Sequence, residues 1–518
     1  LVSSWLVRQL DRKGEMNKPT RQIATHNIEF LLNGQQMTVA AARSDDTLLN
    51  WLRQDRKLTG SKEGCAEGDC GACTILLARA GPEGEITYQP VNGCILFLPM
   101  LDGCSLTTVE GVAGPEGALH PVQAALVENH ASQCGFCTPG FVVSLLAGWQ
   151  SGCSWSEQEI EDLLAGNLCR CTGYGPIVAA GKALAGQPRP KWETERLAAE
   201  ADWLRSRVPA PLSYGQPAQP FYAPVDCAEL SRLVLEHPTA QIIAGATDIG
   251  LWVTKKQQEL PGFISVMQVA ELQQITETEE HFEIAAAVSH AAASDRLAEH
   301  YPALGEIWRR FGSTQVRASG TVCGNIANGS PIGDLAPAFL ALGAELVLQK
   351  GPQQRILPIE DFFLSYGVQD RQPGEWLRAV RLPKLRDGQV FQAMKISRRF
   401  DQDISAVMAA FFLQLQDRQI ITARCGFGGM AGVPARARQC EEALTGVVLA
   451  DRPPAAALAG LAADFAPITD MRASADYRAA VAGNLLAKLF AGLASGAVMR
   501  LAGDGLDGLG LGREGAGR

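Results

Sequence analysis

The order of apolar and polar positions divides this chain into stretches of different period. Residues 27–41, NIEFLLNGQQMTVAA, form two apolar runs about Asn33-Gly34, a pair that predicts a hairpin turn. A short Leu-rich helix is expected over Asp46–Arg53, with Asp46 or Thr47 near its start, and strands resume at Thr74–Ala78 and Ile86–Val91. From 119 to 187 the period becomes helical. Leu119–His130 is one helix; Thr138-Pro139 opens the next, with Thr as N-cap and Pro at the first helical position. Ser156-x-x-Glu159 reads as a capping box for a third helix, and Gly173–Leu184 supplies a fourth. Residues 187–220 are rich in proline and charge and read as a linker. Mixed α/β patterning fills 221–385. From 386 to 492, strands such as Ala410–Leu415 and Ile420–Arg424 precede helices such as Ala435–Leu444 and Ser474–Phe490, the last with Ser474 as N-cap. The expected division is therefore a tail (1–25), a compact β-rich domain (26–106), a helical domain (107–187), a linker (188–215), an α/β domain (216–385), a C-terminal α+β domain (386–492) and a Gly-rich tail (493–518).

Composition narrows the class. The 518 residues are 47% hydrophobic and 19% charged, an ordinary globular balance with material for several cores. The net charge of -9 lacks the basic footprint of a nucleic-acid binder. No run approaches the roughly 20 apolar residues of a membrane span, and the first residues have no apolar signal core. A cytoplasmic location away from membranes is expected, with Met16 a plausible start.

Of the 14 cysteines, eight fall into two sets. Cys65-x4-Cys70-x2-Cys73, closed by Cys94, has the plant-type ferredoxin spacing for a [2Fe–2S] cluster. Its three ligands within nine residues suit zinc poorly, and disulfides belong to small secreted domains. The glycines of GCAEGDCGAC let the backbone fold closely around a compact group and point N–H donors at it. The second set is Cys134-x2-Cys137 with Cys169-x-Cys171, each pair in a loop between helices. Spacing alone leaves both iron–sulfur and zinc open there. Cys104, Cys153, Cys227, Cys323, Cys425 and Cys440 have no ligand spacing and read as small apolar fillers.

Two loops of small residues stand out in the α/β domain, IIAGATDIG (242–250) and RASGTVCGNIANGSPIGD (317–334). Small side chains, hydroxyls and bare N–H groups are what a pyrophosphate needs, so the pair suggests nucleotide binding. Two look-alikes fail. Gly503-x-Gly505-x-x-Gly508 follows no strand and opens no helix, and Gly426-x-Gly428-x-x-Ala431 is followed by Pro434 rather than a helix start.

With these motifs in hand, the chain resembles the molybdenum hydroxylases from about 26 to 490. EGCAEGDCGACT (63–74), QCGFCTPG (133–140) and GNLCRCTGY (166–174) look like that family's iron–sulfur signatures. IIAGATDIG and SGTVCGNIANGSPIGDLAP (319–337) resemble its FAD domain, and DMRASADYR (470–478) the end of its C-terminal flavoprotein domain. The domain order is similar to that of the small, iron–sulfur/FAD subunits of bacterial xanthine dehydrogenases. The resemblance implies a multidomain α+β fold: a β-grasp 2Fe-2S ferredoxin-like domain, a four-helix 2Fe-2S domain, a PCMH/vanillyl-alcohol-oxidase-type FAD domain and an α+β C-terminal flavoprotein domain.

It also implies roles. Both cysteine sets would hold [2Fe–2S] clusters. Ile242, Ile243, Ala244, Gly245, Ala246, Thr247, Asp248 and Ile249, with Thr321 to Asn325 (Gly324 among them), would wrap the FAD pyrophosphate and neighbouring groups. Phe311 and Leu377 would sandwich the adenine, Asp334 would hydrogen-bond the FAD, and Lys395 would lie beside it. Cys323 and Ala246 depart from the residues many relatives carry, and Ala246 removes one amide from the lining. Ser397-Arg398-Arg399 could face a nicotinamide nucleotide or be a basic surface turn. Since no molybdopterin domain fits in this chain, the resemblance implies a large molybdopterin-binding partner in a heterotetramer. Electrons would pass from it to the Cys134 set, the Cys65 set, FAD and finally NAD⁺. Another molybdenum hydroxylase acting on a different N-heterocycle or aldehyde, a stand-alone flavin/ferredoxin reductase, and a zinc-dependent scaffold are the alternative readings.

Overall fold

The computed structural model describes residues 26–496; the tails and Gly503-x-Gly505-x-x-Gly508 lie outside them, wholly or in part. The first domain is a five-stranded mixed sheet in the order β2-β1-β5-β3-β4, from β1 (Ile28–Leu32), β2 (Gln35–Val39), β3 (Thr74–Ala80), β4 (Ile86–Asn92) and β5 (Ser105–Thr107). Asn33 and Gly34 both take positive φ at the predicted hairpin (52° and 79°). The parallel β1–β5 pairing closes the β-grasp, which sequence pattern missed because β5 has three residues. Helix α1 (Leu48–Gln54) crosses this sheet, capped by Thr47, whose hydroxyl accepts from Asn50 N at 3.2 Å.

Four helices follow: α2 (Pro121–Glu128), α3 (Thr138–Ser151), α4 (Glu157–Leu164) and α5 (Gly175–Lys182). Two cap assignments need correction. Cys137, not Thr138, is the N-cap of α3, and Thr138 spends its hydroxyl on Ser132 at 2.7 Å. Ser156 caps α4, yet Glu159 does not reciprocate; its carboxylate accepts from Ser154 N at 2.8 Å instead. The expected linker also contains a 16-residue helix, α6 (Lys191–Ser206). Its buried Glu193 accepts from Trp149 Nε1 (3.1 Å) and Gln150 Nε2 (2.6 Å) of α3, and these distant partners hold a segment that its prolines had marked as loose.

The third region begins with β6 (Leu212–Gln216), β7 (Gln219–Ala223), α7 (Cys227–Glu236), β8 (Gln241–Ile243), α8 (Ile249–Thr254) and β9 (Phe263–Ser265). Their sheet, β6-β7-β9-β8, shares one apolar core with the β-grasp: Phe30, Trp51, Phe97, Tyr214, Phe221 and Phe263 pack together. The cysteine-bearing domain and the first small-residue loop (242–250) therefore rest on common packing.

A second sheet, β10-β11-β16-β12-β13, is built from β10 (Ile275–Glu277), β11 (His281–Ala285), β12 (Glu345–Lys350), β13 (Gln353–Pro358) and β16 (Trp376–Pro383). Between β11 and β12 lie α9 (His290–Leu297), α10 (Pro302–Arg309), α11 (Thr314–Ser319), α12 (Val322–Asn328) and α13 (Leu335–Leu342). A short α14 (Ile359–Phe362) and the hairpin β14 (Phe363–Ser365) and β15 (Val368–Gln369) precede β16. The C-terminal domain is a meander of β17 (Gln389–Ile396), β18 (Val407–Gln416), β19 (Gln419–Gly428) and β20 (Ala435–Arg436). Helices α15 (Arg438–Leu444), α16 (Ala455–Asp464) and α17 (Ala475–Ser495) pack on it, and Ser474 caps α17 as expected. Gly426 of the rejected look-alike is a packing glycine: a Cβ there would lie 2.0 Å from Pro337 O of α13.

Candidate functional site

The loop from Cys65 to Cys73 is wound by left-handed residues, Ala66 (φ 54°), Gly68 (77°) and Gly71 (69°). That winding turns backbone donors inward: Cys65 Sγ accepts from Glu67 N (3.5 Å), Asp69 N (3.3 Å) and Cys70 N (3.3 Å). Asn92 ties the loop to β4 by donating to Gly68 O at 2.9 Å. The thiols are in mutual contact. Hydrogen bonds from Cys70 and Cys94 hold the Cys65 thiol far below its ordinary range, while those with Cys65 and Cys73, and burial, push Cys94 far up. Four crowded sulfurs of this kind can all be thiolates only around positive charge, and inward N–H groups are the donors that cluster sulfurs accept. The residues fit a [2Fe–2S] group.

The second set is also brought together. Cys171 Sγ lies 3.5 Å from Cys134 Sγ, and Cys137 is pushed up to about 12 by burial and its hydrogen bond with Cys169. Among the described residues no three His, Cys, Asp or Glu side chains have the arrangement of a single-ion site. Cys134 and Cys171 are exposed, so this set reaches the surface, whereas Cys73 and Cys94 are buried.

The two sets are joined by backbone. Leu168 N donates to Cys70 O at 3.0 Å, one residue before Cys169. Gly71 meets Gly166 so closely that a Cβ on Gly71 would lie 2.2 Å from Gly166 O. On its other side the first set touches α8. Thr254 Oγ1 donates to Ala66 O (2.7 Å), Lys255 Nζ donates to Cys65 O (2.9 Å), and a Cβ on Gly250 would lie 2.8 Å from Ile95 O. Helix α8 begins at Ile249, at the end of the first small-residue loop. Its six residues, about 9 Å long at 1.5 Å each, run from that loop past Ile95 to the cysteine loop. Thr254 and Lys255 carry no sequence signal for this role, because their partners are about 190 positions away.

The two small-residue loops converge. A Cβ on Gly245 would lie 1.8 Å from Ser319 O, and one on Gly320 would lie 3.2 Å from Thr247 Oγ1. Ala246 sits buried with φ 60°, a left-handed conformation at a non-glycine residue. Thr321 caps α12 through Gly324 N at 3.0 Å. The protein packed around Asp248 pushes its carboxyl up, although the residue keeps exposed surface. Asp334 and Lys395 meet: Lys395 Nζ lies 2.6 Å from Asp334 Oδ2, and Ser405 Oγ donates to Asp334 Oδ1 at 2.5 Å. Lys395 is 2% exposed, so it is no solvated surface charge. Phe311 is half-buried, its ring centroid 4.5 Å from that of His290, and Leu377 lies in the core on β16. His290 is buried with no partner at Nδ1. A cradle that admits only glycine at 245, beside an unpaired buried imidazole nitrogen, fits a dinucleotide. Ser397–Arg399 forms an exposed turn, in which Arg398 N and Arg399 N donate to Asp403 at 2.7 and 2.9 Å.

In the comparisons with known proteins, three stretches of the chain match family models. Residues 108–182 match the [2Fe-2S] binding domain, 214–385 the FAD binding domain in molybdopterin dehydrogenase, and 392–493 the CO dehydrogenase flavoprotein C-terminal domain. The chain is 32% identical over 468 residues to xanthine dehydrogenase of Drosophila subobscura, covering 79% of this chain and 35% of that protein. It is 31% identical over 484 residues to xanthine dehydrogenase of Emericella nidulans, covering 82% and 35%. The chain thus spans about a third of the length of these relatives. A solved Cu,Mo-CO dehydrogenase chain matches with 28% identity and a TM-score of 0.48, covering 52% of this chain and 94% of that one. Among the described residues no helix is long and apolar enough to cross a membrane. By its [2Fe–2S], FAD and C-terminal flavoprotein domains, in that order, this chain is an iron–sulfur/FAD component of the molybdenum hydroxylase family.

Proposed function

We propose that the chain is the electron-transfer subunit of a cytoplasmic xanthine dehydrogenase, linking a molybdopterin-binding partner that oxidises hypoxanthine and xanthine to urate with NAD⁺. The observation that carries this is the unbroken run of contacts from Cys134 and Cys171 at the surface, through Leu168–Cys70, to Thr254 and the flavin loop. The identity to xanthine dehydrogenases supports the substrate.

When bound, the clusters move single electrons and the flavin couples them to two-electron transfer. The protein's part is to hold these groups. Cys134, Cys137, Cys169 and Cys171 would bind the cluster nearer the partner, and Cys65, Cys70, Cys73 and Cys94 the cluster nearer the flavin. Residues 242–249 with Thr321, Gly324 and Asn325 would hold the FAD pyrophosphate, Phe311 and Leu377 its adenine, and Asp334 and Lys395 would bind beside it. Exposed Phe136, Leu168 and Tyr174 around the second set would meet the partner. Apolar side chains there would keep water from the cluster-bearing edge.

Purification of the native complex tests the reading. About four irons and one FAD per chain are expected, from two clusters and one flavin site, in a complex of two small and two large subunits. NADH should form on addition of xanthine and NAD⁺. Absence of NADH with xanthine defeats the substrate assignment, and zinc without iron or flavin defeats the whole reading.

A further inference from the structure

We propose that Gln315 is a positioning residue that keys the flavin domain to both cysteine loops and sets the spacing of the two clusters, a role that rests on the electron-transfer reading above. Gln315 stands on α11, which leads into the cradle at Gly320, and it is fully buried. Its Nε2 lies 3.1 Å from Thr74 Oγ1, 3.3 Å from Ser144 Oγ and 3.2 Å from Asn167 Oδ1. Thr74 follows Cys73 in the β-grasp, and Asn167 stands two residues before Cys169 in the helical domain. One amide thus reaches two other domains from its own.

Its partners are also bound to one another and to the cysteine loops. Ser144 Oγ donates to Asn167 Oδ1 at 2.6 Å. Asn167 Nδ2 reaches Gly71 O at 3.2 Å and Thr74 Oγ1 at 3.4 Å, and Thr74 Oγ1 donates to Gly71 O at 2.6 Å. All four side chains are buried. Gly166 completes the fit: a Cβ there would lie 1.8 Å from Gln315 Oε1 and 2.7 Å from Ser313 Cβ. Apolar side chains would hold three domains together without directional demands. A buried hydrogen-bond network is directional, so it favours one register of the surfaces that share it. The register it favours is the one in which Leu168 N meets Cys70 O. Around the amide, Gln315 Oε1 itself has no partner, so nothing on that side anchors the residue independently of the hub.

The test uses the full chain carrying both clusters and FAD. Reduction with dithionite makes both clusters paramagnetic, and their dipolar splitting in electron paramagnetic resonance reports their separation. Gln315→Met keeps the volume and removes the amide. The expected result is retained iron and FAD, loss of the resolved splitting, and slower electron redistribution to the flavin after flash reduction. A merely structural residue would lower the melting temperature and leave splitting and rate unmoved, which overturns the proposal. If Gln315→Met arrives without iron, Gly166→Ala decides from the other side, since its methyl displaces the amide. It should lose the splitting too, while iron and FAD stay bound. Unchanged splitting in Gly166→Ala overturns the proposal. A wild-type chain without two resolvable cluster signals defeats the functional reading instead.

Discussion

Replacing Lys395 by Met should strand a buried carboxylate, and the size of the effect follows from the geometry. Lys395 Nζ lies 2.6 Å from Asp334 Oδ2 and 3.3 Å from Arg310 O. The side chains of the pair are 2% and 6% exposed. Lys395 stands on the first strand of the C-terminal domain and Asp334 at the start of α13, so the pair also joins two domains. Without the ammonium, Asp334 keeps one neutral donor, Ser405. Removing one partner of a buried pair costs about 3–5 kcal/mol. At about 2–4 °C per kcal/mol for a domain of this size, the melting temperature should fall by roughly 6–20 °C. Removing both charges, in Asp334→Asn/Lys395→Met, should recover most of that loss, since an uncharged pair has no desolvation debt. Thermal unfolding followed by circular dichroism, with flavin release read by fluorescence, separates the effects. The single variant should be unstable and poor in FAD, the double variant stable and still poor in FAD. A single variant melting within about 1 °C of wild type, or a double variant no better than the single, would refute the reasoning.

Gly245→Ala should abolish FAD retention while iron per chain stays unchanged, because the new methyl meets backbone at Ser319 O, 1.8 Å away, and not a side chain that can swing aside; flavin absorbance against iron content measures it. Gly71→Ala should do the reverse, lowering iron per flavin. It combines a φ of +69° with a clash at 2.2 Å against Gly166 O, where the two cysteine loops touch. His290 should contribute to the pH dependence of stability. Burial, reinforced by the positive charge of Arg317, pushes its imidazole down to about 3 from 6.5. The unfolded chain therefore binds a proton that the folded chain refuses, so this contribution is present above pH 6.5 and is lost as pH falls toward 3, by about 1.4 kcal/mol per unit. Urea midpoints between pH 7 and about 4.5 should fall less steeply in His290→Phe than in wild type; equal slopes would show that His290 is protonated in the native state.

Much of the candidate site was legible because its ligands are close in sequence. A five-residue reach from Cys65 to Cys70 permits few groups, and the left-handed Gly68 and Gly71 do what glycines in such a loop suggest. The Asn33-Gly34 turn, the four helices and the Ser474 cap were local matters and emerged as read. Thr138 was misjudged because a cap is decided by backbone direction: the cysteine loop enters helically at Cys137, and the Thr hydroxyl finds Ser132. Helix α6 was missed because Glu193 is held by Trp149 and Gln150, residues more than 40 positions earlier.

The sequence by itself determined the local parts: two sets of four thiols, the first at ferredoxin spacing, and two loops of small residues. Short covalent tethers limit which groups can share one cofactor, so local spacing suffices for that. Only the tertiary structure decided how these parts stand to one another. Leu168 bonds to Cys70, Thr254 to Ala66, Asp334 to Lys395, and Gln315 gathers three domains. Such contacts depend on the complementary shapes of separately folded surfaces, and no period or spacing along the chain encodes them. Electron transfer requires neighbouring centres, so the feature on which this protein's function depends is the one its linear pattern does not contain.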